Sequence, residues 1–460
     1  MDKISIYKPA ALIGNSIANV IKYFIPILTT LIITPVTLVY LGEEKLGIII
    51  IINSIVTFGG IFSVSLNEGF VKNLSGCIGK KEDIIELNKY IRTNVAIFIL
   101  LSVILLITLY LFSNLIIKNL INPSVNLYDE TKSVFLILSS AFTINVFSGC
   151  IIGILNGIQR YDVILYITIF TTIFLLITRT IVTIFTQDVE KVCYTILVSN
   201  FLNCFAAMVY IKNSINGINL FPKLYKKQLI LIINYGKFRI LDSLCSICFL
   251  QFDKIIANKY LLPIFIYKYS IPVTVCQMIS HLCSGFSNPL IPKISNMAVN
   301  GEYKAMRHLY IKYMNMIIIS MISICLYLYY FGHNLLVIWL GDKIDNELSC
   351  TLFKHFSLAY GLLGIASVGA SILFGFGKVK LNFMIRILLT VTALGAMLIL
   401  SKYVDIKYSG IGYVIAGMLT LYFTTYYAEK LLKIKLSYFF TKDFLINVLT
   451  LISFIIVGNL

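Results

Sequence analysis

Apolar runs separated by short polar loops recur along the whole chain. A helix needs about 20 mostly apolar residues to cross the hydrocarbon core of a bilayer. Twelve runs approach that length, at about 12–40, 47–70, 93–116, 134–157, 163–186, 192–211, 235–257, 264–288, 314–333, 353–376, 383–401 and 409–428. A thirteenth, at about 444–458, is short for a full span. Lipid offers the backbone no hydrogen-bond partner, so only helices and closed barrels span it. The alternating pattern of an outer-membrane barrel is absent from the sequence. The chain therefore reads as an all-α polytopic membrane protein of about 12 transmembrane helices.

The loops carry a second pattern, an internal repeat with an offset of about 220 residues. The loop at 71–92 recurs at 291–312, the loop at 117–133 recurs at 337–353, and the turn at Gly157 recurs at Gly377. Six helices per half is an even number, so both halves enter the membrane in the same direction, the parallel kind of repeat. The expected organisation is an N-terminal six-helix lobe over 1–220 and a C-terminal six-helix lobe over 221–432. A central cavity lies between the lobes in this expectation, and an extension over 433–460 holds the thirteenth run. Two such lobes suit alternating access.

Composition narrows the class. Of 460 residues, 58% are apolar and 13% charged, against about 25% charged in soluble domains. That excludes a soluble enzyme, a disordered chain and a disulfide scaffold. The ten cysteines are scattered, and most fall in apolar runs where Cys acts as a small hydrophobe. Cys245 and Cys248 form a C-x-x-C without the second ligand pair of a metal site. The first residues lack the pattern of a cleavable signal peptide. The net charge of +17 has a topological explanation. With the N-terminus in the cytoplasm, the cytoplasmic side holds 25 Lys and Arg against 8 acids, and the opposite side holds 10 against 10. The whole excess lies on one face, as the positive-inside rule requires. It implies attraction to membrane lipids with anionic headgroups and no nucleic-acid partner.

Motifs add a resemblance. Asn15, Pro35, Tyr40-Leu41-Gly42, Gly47 and Leu66-Asn67-Glu68-Gly69 mark the first two runs; Asn156-Gly157-Ile158-Gln159-Arg160 follows the fourth, and Phe252-Asp253-Lys254 ends the seventh. This set resembles the polysaccharide-biosynthesis flippases, the Wzx-type O-antigen translocases of the MOP superfamily. Thr34 abuts Pro35 here, where the family has a residue between them. The resemblance covers the chain to about 430 and implies a transporter, not an enzyme, working without a cofactor. Its implied place is the cytoplasmic (inner) membrane of a bacterium. Its implied substrate is an undecaprenyl-pyrophosphate-linked oligosaccharide, an O-antigen or capsule repeat unit, moved from the inner to the outer leaflet. Polymerase and chain-length proteins of the same pathway are the implied protein partners. Multidrug/cation antiporters and lipid II flippases of the same superfamily are the alternatives. The sequence carries no Walker A pattern, no H-E-x-x-H and no large soluble loop.

A charge at the centre of a membrane helix costs roughly 2.5–3.5 kcal/mol on insertion scales, so deep charges are the candidate site. Lys22, Arg179 and Lys254 are the basic ones, read as cavity cations for the anionic head group. Glu68, Asp242 and Asp253 are the acidic ones, read as gating or coupling residues. Lys22 and Asp242 are 220 positions apart and occupy equivalent places in the two halves, which positions them to pair. Arg239, one turn before Asp242, is the competing local partner. Asn200 and Asn203 in the sixth run read as interhelical hydrogen-bonding residues.

Overall fold

The computed structural model describes residues 28–434 apart from 80–82, 159, 215–216, 288, 342–343 and 345. Among the described residues all regular secondary structure is helical. The thirteenth apolar run and the first 27 residues lie outside them. The chain divides into two compact units, Met1–Tyr267 and Lys268–Leu460.

The first unit contains α1 (Leu28–Leu41), α2 (Glu43–Thr57), α3 (Ile61–Gly79) and α4 (Ile84–Leu111). It continues with the single turn α5 (Ser113–Ile116), then α6 (Tyr128–Gly157), α7 (Tyr161–Thr186), α8 (Val189–Ser214) and α9 (Lys226–Tyr260). Gly42, the last residue of the Tyr-Leu-Gly motif, turns the chain from α1 into α2 at φ +87°. Residues with a Cβ adopt that region only at a cost. Between Glu43–Gly60 and Ser65–Ile78 the second span bends by 44°. The bend follows a 3-10 turn at Phe58-Gly59-Gly60, and paired small residues are a common cause of kinks.

Helix α10 (Pro263–Ser287) begins at the end of the first unit and runs into the second. The second unit continues with α11 (Leu290–Val299), α12 (Tyr303–Leu340), α13 (Asn346–Gly375), α14 (Val379–Tyr403) and α15 (Gly410–Leu432). Each of the twelve apolar runs falls on helix in its described residues, the first of them only from residue 28 on. Among the described residues seven helices are individually long and apolar enough to cross a membrane, and the bent α2–α3 pair, taken as one span, makes an eighth. Several helices outrun their apolar segments. With 38 residues, α12 is about 57 Å long at 1.5 Å per residue. The hydrocarbon core is about 30 Å thick, so part of α12 extends beyond it; its first turns carry Lys304 and Arg307.

The internal repeat reappears as a repeated pair of contacts. In the first unit Asn67 Nδ2 donates to the Gly149 carbonyl at 3.0 Å. One helical level further, Leu74 packs so closely on Gly157 that a Cβ there would lie 2.5 Å from Leu74 Cδ2. In the second unit Ser287 Oγ donates to Ser367 Oγ at 3.0 Å, and Ile294 packs on Gly375 at an equivalent 2.6 Å. Asn67 and Leu74 each precede their counterparts by 220 positions, and Gly149 and Gly157 each precede theirs by 218. In the second unit the stretch carrying Ile294 is a separate helix, α11, preceded by Pro289. Proline supplies no N–H and breaks the helix there.

Polar ties hold the helices of each unit together. Asn200 Nδ2 of α8 donates to the Ala141 carbonyl of α6 at 2.9 Å. Asn203 Nδ2 donates to Thr171 Oγ1 of α7 at 3.1 Å, and its Oδ1 accepts from Ser148 Oγ of α6 at 2.9 Å. Both asparagines are the interhelical ties expected of them. In the second unit α13 and α15 run parallel along a seam of small residues. Gly410 meets His355 and Phe356, Gly417 meets Ala359 and Leu362, and Gly369 meets Thr424. Each step is seven residues on both helices. Such seams let membrane helices approach closely. Beside the seam lie the rings of Tyr269, Phe356, Tyr360 and Tyr413, with Gln277 Nε2 donating to the Tyr360 hydroxyl at 2.9 Å. At the loop before α15, Lys407 pairs with Glu347 at 2.5 Å. That hydrogen bond raises the Lys407 ammonium above the usual lysine range.

Candidate functional site

The deep charges of α9 are positioned by its packing along the second span. The two run antiparallel; two contacts with α9 and one with the first residue of α10 fix their register. A Cβ on Gly47 would lie 2.0 Å from the Pro263 carbonyl. Phe58 meets Phe252 edge to face, with centroids 4.9 Å apart. Ser65 Oγ donates to Ser243 Oγ at 3.0 Å. Asp242 adjoins Ser243, and Asp253 adjoins Phe252. Both are buried, as is Lys254. This packing places α9 with the first unit, although the sequence repeat turns over near residue 220.

Among the described residues Lys254 Nζ reaches its own helix, the Leu250 carbonyl and Gln251 Oε1, both at 3.4 Å. Those lengths exceed the usual 2.7–3.2 Å range of N–H···O bonds. Asp253 is its sequence neighbour, but successive residues project about 100° apart on a helix. No ion pair holds the Lys254 ammonium among the described residues. One turn later Asn258 Nδ2 donates to the Leu120 and Ile121 carbonyls at 2.7 and 3.1 Å. These bonds pin this end of α9 to the π turn Ile117–Ile121 that follows α5.

Arg179 is on α7, beside Cys193 of α8. Its Nε is buried and has no hydrogen-bond partner among the described residues, and the adjacent Thr180 hydroxyl is in the same condition. The guanidinium makes no ion pair there either. An unpaired cation in a low-dielectric site costs several kcal/mol, and among the described residues two of the three candidate bases, Arg179 and Lys254, form no ion pair.

The candidates do not form one cluster. Glu68, half-buried on α3, follows Ser65 by three residues, which puts it at a height comparable with Asp242 on the antiparallel α9. Lys254 is twelve residues further along α9, about 18 Å away, close to Asp253. Arg179 belongs to the α7–α8 pair, and no hydrogen bond or ion pair joins it to Lys254. Lys22 and the side chain of Arg239 lie outside the described residues, and with them the pairing expected between Lys22 and Asp242.

One charged group escaped the sequence reading. Glu429 lies just past the twelfth apolar run, which ends at about 428, and so falls there among the acids of the cytoplasmic side. In the structure the residue is 1% exposed, and Oε1 has no hydrogen-bond partner among the described residues. The signal was helical phase: Thr425, Ala428, Glu429 and Leu432 share the buried face of α15. No group of three or more His, Cys, Asp or Glu suited to a metal ion occurs among the described residues, and the ten cysteines are free.

Comparison with known proteins agrees with this architecture. Residues 16–182 match the MatE family model. A protein of Shigella flexneri described as "Putative O-antigen transporter" is 20% identical over 382 residues, which cover 82% of this chain and 88% of that protein. Among solved structures, the inward-facing conformation of a multidrug resistance MATE family transporter of the MOP superfamily superposes with a TM-score of 0.77 at 13% identity, covering 90% of this chain and 98% of that one. The outward-facing conformation of such a transporter gives 0.68 at 14% identity, covering 92% and 95%. These structures share the fold of this chain. The chain is a multi-pass membrane protein with the fold of these transporters, and its residues 16–182 carry the match to the MatE family.

Proposed function

We propose that the protein is a flippase for an undecaprenyl-pyrophosphate-linked oligosaccharide, carrying the head group from the inner to the outer leaflet by alternating access. The observation that carries this reading is the pair of deep cations, half-buried Arg179 and buried Lys254, neither of which forms an ion pair among the described residues. Fixed cations kept within apolar spans at such cost are what a pyrophosphate needs. Sugar hydroxyls without partners in hydrocarbon cost several kcal/mol each, so the head group requires a polar route while its lipid tail stays in the bilayer. The relative described as an O-antigen transporter supports the same substrate class. Moving one charge across 100 mV is worth about 2.3 kcal/mol. An inside-negative potential therefore favours outward movement of a doubly charged head group by about 4–5 kcal/mol, without a coupled ion in that step.

The second reading, a multidrug/cation antiporter, is favoured by the solved structures of multidrug transporters and by the buried acids Asp242, Asp253 and Glu429. Deletion of the gene separates the two. The flippase reading expects loss of surface polysaccharide, with lipid-linked oligosaccharide accumulating on the inner leaflet. Normal polysaccharide with raised sensitivity to cationic drugs would support the antiporter.

A further inference from the structure

The connector between α8 and α9 is strapped to the first turns of α4. Asn88 Nδ2 donates to the Gly217 carbonyl at 2.7 Å, and Asn88 Oδ1 accepts from the Asn219 amide at 2.8 Å. Arg92 Nε donates to the Phe221 carbonyl at 2.9 Å, and the Arg92 carbonyl accepts from the Lys223 amide at 3.3 Å. The Tyr225 amide donates to Thr93 Oγ1 at 3.2 Å. Just beyond, Gln228 Nε2 donates to Glu86 Oε2 at 3.3 Å, and Glu86 also pairs with Lys89. Asn88, Arg92 and Thr93 thus engage five backbone polar groups of the connector, on Gly217, Asn219, Phe221, Lys223 and Tyr225.

The strap fixes what the connector shows outward. Phe221 is 71% exposed and Leu224 is 56% exposed. Lys223, Lys226 and Lys227 are exposed around them, and residues 212–228 contain no acid. This surface directly follows the apolar span Val189–Asn213, so it lies at the level of lipid headgroups. Aromatic and aliphatic side chains ringed by lysine on an interfacial segment have the composition of a lipid-binding surface. Lysines just outside a span are attracted to anionic lipids.

We propose that the connector is a docking surface for anionic phospholipid. Phe221 and Leu224 enter the boundary between headgroups and acyl chains, and Lys223, Lys226 and Lys227 bind the lipid phosphates. The surface holds the starts of α4 and α9 to the bilayer and works independently of the transported substrate. The absence of any acid in the segment favours lipid phosphate over a protein partner with mixed charge.

The chain has a single tryptophan, Trp339, which permits a direct test. The double variant Trp339→Phe with Phe221→Trp is reconstituted in phosphatidylcholine vesicles containing phosphatidylglycerol, with one lipid or the other brominated at equal mole fraction. Brominated phosphatidylglycerol should quench the new tryptophan at least about twofold more than brominated phosphatidylcholine. High salt should remove the difference, and so should the triple change Lys223→Gln, Lys226→Gln, Lys227→Gln. Equal quenching by the two lipids overturns the proposal, as does quenching by aqueous iodide with none by either lipid. If the tryptophan variant does not fold, native mass spectrometry of the triple variant with Trp339 retained serves instead. Fewer retained phosphatidylglycerol molecules than in the unaltered protein support the proposal, and equal retention overturns it.

Discussion

Asn203 is the node at which three helices of the first unit meet, and its removal has a calculable cost. Its amide donates to Thr171 of α7 and its carbonyl accepts from Ser148 of α6. Interhelical hydrogen bonds in membrane proteins average about 0.6 kcal/mol and reach about 2. Losing both in Asn203→Ala should therefore destabilise the fold by about 1–4 kcal/mol. Thr171 keeps a partner, because its hydroxyl also donates to the Ile167 carbonyl at 2.9 Å. Ser148, which is buried, loses its acceptor, so more of the cost should fall on the α6 side. Reversible unfolding in mixed micelles would measure the single variants Asn203→Ala, Ser148→Ala and Thr171→Val and the two doubles. The cycle with Ser148 should give a coupling of about 0.5–2 kcal/mol, since neighbours in one hydrogen-bond network are not additive. An Asn203→Ala protein as stable as the unaltered one, with additive doubles, would refute the reading of Asn203 as a structural tie.

Arg179→Ala should abolish or sharply reduce polysaccharide export, while Arg179→Lys retains part of it, with both proteins equally abundant in the membrane; equal export in the two would leave Arg179 a packing residue. Gly369→Ala should destabilise by about 1–3 kcal/mol, because the new methyl would lie 2.9 Å from the Thr424 carbonyl, which is backbone and cannot rotate away. Gly395→Ala, with open space around it, should be neutral or stabilising by about 0.5–1 kcal/mol, and thermal unfolding of the two variants in detergent would compare them. Reporter fusions at Asn122 and Asp345 should read outside and those at Lys81 and Tyr225 inside; one reversed reporter would break the assigned topology.

The helices were legible because lipid leaves the backbone no alternative, so run length alone locates each span. Their ends were less legible. The first turns of α12 and α9 are rich in lysine and tyrosine, which apolar run length excludes but which helices outside the hydrocarbon layer tolerate. The repeat was legible in loop spacing more than in residue identity. Asn67 and Ser287 do the same work with different chemistry, one donating to a backbone carbonyl and the other to a serine hydroxyl. Arg179 and Lys254 stood out because a charge inside an apolar run is conspicuous. Glu429 did not, because it lies just past the end of the twelfth apolar run. The strap on the connector was invisible, since it consists largely of backbone groups on Gly217, Phe221 and Lys223, which no residue pattern marks.

The most direct test of the transport assignment uses purified protein in vesicles loaded with an undecaprenyl-pyrophosphate oligosaccharide that carries a fluorescent sugar. A membrane-impermeant quencher added outside reads how much head group reaches the outer leaflet. The account predicts that the unaltered protein renders all of the label accessible under an imposed potential, while Arg179→Ala leaves only the fraction seen in protein-free vesicles. Label accessibility no greater than in protein-free vesicles, together with exchange of a cationic dye by the same preparation, would contradict it.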